Sequence, residues 1–168
     1  MIKKLLYTFL FLSYGLTIQA QQSNIRKGAI SFEFVNKEVK GTISGFESKS
    51  RIDWNQLENS YFEGSVAVET LDTNNGLRNW SLKSGKYFDK NDYPRIHFKS
   101  SEINQNGIDY VVKGVLTLKG IKKPLVIEFK RDGDTLVGSA ELYSYDFDIK
   151  IKKKREDNLV KITFRFEQ

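Results

Sequence analysis

Apolar and polar residues alternate with a period of two through nearly every segment after residue 28, and no other feature limits the fold so tightly. Ile30, Phe32 and Phe34 alternate with Ser31 and Glu33, and Val39-Lys40-Gly41-Thr42-Ile43-Ser44 repeats the pattern. The same rhythm runs through 62–69, 96–99, 110–119, 125–130, 136–142, 146–152 and 160–167. Such alternation marks a strand with one dry and one wet face. Strands of a parallel sheet are buried on both faces and read as continuous apolar runs, so the pairing here is antiparallel. Asn106-Gly107, Lys119-Gly120, Asp132-Gly133-Asp134 and Glu156-Asp157-Asn158 supply turns between runs. Without helices to cover the sheet, its dry face must close into a barrel or pack as a sandwich. The 168 residues suffice for one domain and no linker divides them.

The dry face carries Phe32, Phe34, Val66, Val68, Ile96, Phe98, Leu116, Leu118, Ile127, Phe129 and Phe164. Gly41, Gly64, Gly114 and Gly138 fall in the same register, where glycine marks either a sharp strand bend or room for something else. The interior of an eight-stranded barrel either fills with side chains or holds one apolar ligand. The glycines favour a cavity.

Two segments depart from the pattern. Met1–Ala20 places Lys3 and Lys4 ahead of an apolar run, Leu5–Leu16, and ends on a small residue, which reads as a signal peptide cut after Ala20. The alternative reading is an uncleaved anchor. Export from a bacterial cytoplasm implies a periplasmic or secreted domain over 21–168, where no nucleic-acid partner is expected. Removing both leader lysines lowers the net charge from +6 to +4. Thr73–Pro94 has no period of two; Leu77, Trp80 and Leu82 lie near helical spacing, Asn74 or Asn75 can cap, and Pro94 stops the segment.

Catalytic constellations are thin. The chain has no Cys and one His, which excludes disulfides, thiolate metal sites, Cys nucleophiles and any site needing two imidazoles. His97 alternates with Ile96 and Phe98 and so faces solvent. Alternation likewise turns Glu33, Glu63, Glu69, Glu128, Glu141, Asp146 and Asp148 outward, so neither a catalytic residue nor a metal site is assigned. The run Lys150-Ile151-Lys152-Lys153-Lys154-Arg155 reads either as a soluble hairpin tip that discourages edge pairing or as a docking point for an acidic partner or anionic membrane.

Several segments together resemble one family. Asp72-Thr73-Asn74, Arg78, Leu82-Lys83-Ser84, Tyr87-Phe88-Asp89, Tyr93-Pro94, Phe98-Lys99-Ser100 and the stretch from Val112 to Pro124, VKGVLTLKGIKKP, are similar to the YceI family of exported lipid-binding β-barrel proteins. Asp146-Phe147 and Leu159-Val160-Lys161-Ile162 extend the likeness to the C-terminus. The family's Arg-Asp-x-His-Leu pattern stands here as Arg78-Asn79-Trp80-Ser81-Leu82.

The resemblance implies an all-β, extended antiparallel, lipocalin-like barrel of about eight strands with a short helical connection near one mouth. It implies a binding or carrier protein rather than an enzyme. Its ligand would be a polyisoprenoid or similar long-chain lipid, such as an isoprenoid quinone, polyprenyl compound or fatty amide, with no cofactor beyond that lipid. The tail would lie against the dry-face residues named above, and Arg78, Asn79, Trp80, Leu82 and Phe88 would sit at the mouth. The alternative is a solid-core interaction module that docks through Lys150–Arg155, with transient membrane contact.

Overall fold

A computed structural model describes residues 22–168; the leader and its cleavage point lie outside them. Eleven strands and one helix follow in chain order: β1 Gln22–Ser23, β2 Lys27–Phe34, β3 Val39–Ile43, β4 Glu47–Ser48, β5 Ile52–Asp53, β6 Glu63–Ala67, α1 Gly76–Lys83, β7 Arg95–Asn106, β8 Asp109–Leu118, β9 Ile121–Asp132, β10 Thr135–Tyr143 and β11 Leu159–Glu167. Nine of them form one antiparallel sheet in the order β3-β2-β11-β10-β9-β8-β7-β6-β4, while β1 and β5 pair separately.

The two edges of this sheet, β3 and β4, are consecutive in the chain. One bent segment therefore pairs with β2 on one side and β6 on the other, and the sheet curls back upon itself. Gly45, at φ +67°, takes the backbone round the bend through a conformation that L side chains disfavour. The Ala67 amide donating to the Ser44 carbonyl at 3.0 Å and a Thr42–Asp72 bridge fasten the seam. Counting β3 and β4 together leaves the eight staves that the sequence suggested.

The long hairpins follow the turn signals. Lys119 (φ +50°) and Gly120 (φ +73°) are both left-handed, as a two-residue type I′ turn between β8 and β9 requires. Gly107 (φ +63°) and Gly133 (φ +57°) take the first position of the two-residue β7–β8 and β9–β10 turns, in which only the glycine is at positive φ. A bulge at Ser100/Glu102 in β7, invisible to a simple period-two reading, resets the register so that Ile103 faces the core again.

Two strand expectations are corrected. Asp146–Lys152 is not a strand: Ser144–Phe147 is a 3₁₀ turn, and Asp148 reverses the chain at φ +57°. Phe147 and Ile149 are both buried, which mimics alternation, but the reversal at Asp148 places them there. Val68, read as the end of a strand, begins a 3₁₀ turn, Val68–Thr70, that leads toward α1. The helix itself starts where expected, with the Asn75 side chain accepting from the Arg78 amide at 2.9 Å.

The glycines also mean something different. Their missing side chains are occupied by neighbouring phenylalanine rings rather than by empty space. Gly41 lies under Phe32, its cross-strand partner, and Gly138 under Phe129, likewise its partner. Gly114 admits Phe98 and the Lys99 carbonyl, and Gly28 admits Phe166 and Phe46. Of the four glycines singled out in the sequence, only Gly64 lines the cavity.

Candidate functional site

The curled sheet encloses an apolar cavity of about 120 Å³. β2 contributes Ile30, Phe32 and Phe34; β6 and β7 contribute Val66, Ile96 and Phe98; β8 and β9 add Leu116, Leu118, Leu125 and Ile127; β11 adds Val160, Ile162 and Phe164. Ile43, Phe46, Phe62, Leu71, Phe88 and Leu142 complete most of the wall. Ile30, Phe32, Phe46, Ile96, Leu142 and Ile162 are only half-buried, so these are the wall side chains with room to move.

Nine of the eleven dry-face residues named from the sequence are on this wall. Val68 and Phe129 are not. Val68 is fully packed in the turn before α1, and Phe129 belongs to the aromatic floor. Phe46 escaped the sequence reading because it follows the Gly45 bend, outside any alternating run, whereas Phe62 heads the alternating run 62–69 and joins the wall from just ahead of β6. The floor is a cluster of rings in which Phe166 contacts Phe46, Phe62, Phe129 and Phe164 with centroids 4.8–5.9 Å apart. Beneath it the Arg131 guanidinium lies over Trp54 at 4.4 Å, and Trp54 meets Tyr110 edge-on. This end is filled.

The polar groups on the wall are turned away or already paired. Ser144, buried at 2 %, donates its hydroxyl to the Ile149 carbonyl at 2.7 Å. Ser65 accepts from Arg95 Nε at 2.9 Å. His97 has its side chain exposed between Ser65 and Thr117, the solvent-facing position its register implied. No carboxylate is on the wall among the described residues. The arrangement can hold an apolar group.

At the opposite end from the floor, the residues expected at the mouth divide. Phe88 is buried and lines the cavity, and Leu82 is buried just beyond it. Arg78 and Asn79 hold the helix to the preceding loop. Arg78 Nε donates to Thr73 Oγ1 and its Nη2 to the Thr73 carbonyl, both at 2.8 Å. Asn79 Oδ1 accepts from the Thr73 amide at 2.9 Å and from its hydroxyl at 2.6 Å, while Nδ2 donates to Asp72 at 2.8 Å. The Asn79 amide and the Asn74 N–H hold the Asp72 carboxyl below the usual range. Trp80 is 74 % exposed on the far side of the helix. Arg78, Asn79, Trp80 and Leu82 are thus off the cavity wall, because the helix lies across the end of the barrel with Leu82 beneath it.

The basic run is not a free hairpin tip. Buried Asn158 gathers it: Oδ1 accepts from the amides of Ile151 and Lys152, and Nδ2 donates to the carbonyls of Lys152 and Lys154. Arg155 grips Asp146 with two hydrogen bonds and stacks on Tyr143 at 4.0 Å, and Lys150 pairs with Asp148 at 2.7 Å. These partners lower both carboxyls and raise both cations relative to their ordinary values. Ion pairs therefore engage the two ends of the run and leave Lys152, Lys153 and Lys154 for anything else.

A curled antiparallel sheet around an apolar chamber, with a helix over one end, places the chain in the class of small antiparallel β-barrels with an internal chamber. The family model described as YceI-like domain matches residues 16–168, and the chain belongs to that family. A UPF0312 protein of Photorhabdus laumondii is 32 % identical over 94 residues, 56 % of this chain and 49 % of that protein, so the match spans about half the relative's length. The solved structure of Burkholderia cenocepacia BcnA superposes with a TM-score of 0.75 at 20 % identity, covering 85 % of this chain and 98 % of that one. A polyisoprenoid binding domain from Saccharophagus degradans superposes with a TM-score of 0.55 at 11 % identity, over 83 % and 91 % of the two chains. At these identities the structures establish the fold.

Proposed function

We propose that this protein is a periplasmic or secreted carrier that holds a polyisoprenoid or similar long-chain lipid with its tail inside the barrel. The observation that carries this reading is the cavity itself: an almost wholly apolar wall whose few polar groups are engaged elsewhere. A dry cavity of about 150 Å³ accepts a benzene-sized molecule, so the 120 Å³ here suits roughly one five-carbon unit as it stands. Each buried methylene contributes about 0.8 kcal/mol, so one isoprene unit supplies about 3–4 kcal/mol before ordering costs. A longer tail requires the half-buried wall residues, Phe32, Phe46 and Ile162 among them, to shift. The Saccharophagus domain, described as polyisoprenoid binding, supports the same ligand class.

Native mass spectrometry of mature protein taken from its own periplasm, followed by organic extraction, tests the reading. A stoichiometric isoprenoid or quinone is the expected result, and Leu116→Trp, which fills the chamber, should lose it while remaining folded. An apo mass that stays unshifted when such lipids are added would sink the proposal. The second reading, docking to an anionic surface, rests on Lys152, Lys153 and Lys154, which have no acidic partner within 4 Å among the described residues. Reversing those three charges leaves a carrier's lipid in place but releases a docking module from anionic vesicles.

A further inference from the structure

The internal cavity and a separate surface cleft share a wall. Phe34, buried at 6 %, lines both. The cleft has a volume of about 410 Å³ and lies between α1, the β2–β3 turn and the loop carrying Ile151. Its apolar walls are Val39, Leu77, Leu82, Tyr87 and Ile151, with Lys37 and Arg78 also lining it. Leu77 is 78 % exposed, an unusual position for a leucine on a helix that buries Leu82 five residues later.

We infer that this cleft is the outer half of the lipid site, with Phe34 as the partition between the halves. The inference rests on the carrier reading and adds to it where the chain lies and which head group it carries. The inner cavity is too small for a long tail. A larger, mostly apolar space continues directly on the other side of one ring at this end, whereas rings fill the floor. Phe34 is the last residue of β2, laddered to Val39 on one side and Val160 on the other, so rotation of its ring with the backbone left in the ladder connects the two spaces without unzipping strands. The exposed hydrogen bond from Asn36 Nδ2 to Asp157 at 3.0 Å ties the β2–β3 turn to the β10–β11 connection. The far end of the tail passes Phe34 into the barrel, and the segment nearer the head lies along Leu77, Leu82 and Ile151.

The head then meets Lys37, which has no acidic group within 4 Å among the described residues, whereas Arg78 already donates to Thr73. Glu38, the next residue, is turned through a left-handed conformation and makes no ion pair with it. An anionic head, phosphate or carboxylate, is the ligand chemistry that pairs with an exposed ammonium lining an apolar groove.

The test uses four probes: prenyl alcohols of ten and twenty carbons and the corresponding monophosphates. The chain has no cysteine, so Leu77→Cys can be labelled at that position alone with a bulky maleimide. The unmodified protein should bind the longer alcohol at least tenfold more tightly than the shorter one. The label should erase that chain-length advantage while sparing the ten-carbon probe. Lys37→Glu should remove a several-fold preference for phosphate over alcohol and leave alcohol binding unchanged. Leu77 and Lys37 are both exposed, so neither change threatens folding. If a label at Leu77 leaves the chain-length ratio untouched, the cleft is not part of the site; if Lys37→Glu leaves the head preference untouched, the head-group assignment falls. Failure of all four probes to bind the unmodified protein overturns the carrier reading itself, and this inference with it.

Discussion

The two ends of the barrel are built on opposite principles. At the floor, Phe62, Phe129, Phe164 and Phe166 interlock, and cross-strand or neighbouring glycines give their rings the volume that side chains would have taken. Below them lie the β1–β5 pair and the Arg131–Trp54 stack. At the mouth the rings are fewer: Phe32 meets Phe34 edge-on and Phe88 is buried. Instead a short helix is held by hydrogen bonds among Asp72, Thr73, Arg78 and Asn79, with one buried anchor, Leu82. Close-packed rings resist displacement because every small shift sacrifices many dispersion contacts. Hydrogen-bonded turns at the surface can exchange protein partners for water at modest net cost. The stiff end sets the shape of the chamber, and the carrier proposed above would take its ligand in at the other end.

Four changes sharpen that contrast. The largest effect should come from Phe129→Ala, which removes a ring exposed by only 2 % from the centre of the floor. Chemical denaturation should register a loss of about 3–5 kcal/mol, and a loss below 1 kcal/mol would mean that the floor is not the rigid element. Gly138→Ala comes next. The added methyl would sit inside the envelope of the Phe129 ring, so overpacking should cost about 1–3 kcal/mol in the same assay.

The third change addresses the mouth through pH. Asp72 titrates below its ordinary value of 3.8 because the Asn79 amide and then the Asn74 N–H stabilise its charged form. Its stabilising contribution is therefore complete above that ordinary value and fades only as the pH falls through the lowered one. Thermal stability governed by this contact should be flat between pH 7 and pH 5. Asn79→Asp sets a second carboxylate against Asp72 and raises a carboxyl of the folded pair. That variant should be destabilised at pH 7 and recover as the medium is acidified toward pH 5, the opposite slope. Matching melting curves of the two proteins at both pH values would refute the network. The smallest effect should follow Leu77→Ser or Trp80→Ser. Both side chains are about three-quarters exposed, and melting should move by no more than about 0.5 kcal/mol equivalent. A larger loss would show that the outer face of α1 is packed against something.

The fold was legible in the sequence where side-chain direction follows from local geometry alone. A strand sends alternate residues to opposite faces, so Phe32, Phe98, Leu116 and Ile127 could be assigned to the interior without knowing their neighbours. The reading failed where another conformation imitates that rhythm. Phe147 and Ile149 are two residues apart and both buried, yet a left-handed Asp148 inside a turn puts them there. At Arg78 and Asn79 polarity suggested a head-group site, and no local pattern shows what the tertiary structure adds, that both side chains hydrogen-bond the Asp72–Thr73 loop and hold the helix to it.

What the sequence determined by itself was one antiparallel, barrel-like sheet with a dry interior, because alternation and turn residues are properties of short stretches of chain. What only the tertiary structure decided was how that interior is filled. A glycine facing inward is compatible with a void or with a neighbour's ring, and cross-strand register makes the choice: Gly138 falls opposite Phe129 and Gly41 opposite Phe32. The same register closes the floor, leaves the chamber above it, and sets Phe34 between that chamber and the surface cleft. Volume left unfilled is a relation among strands far apart in the chain, and no local pattern encodes it.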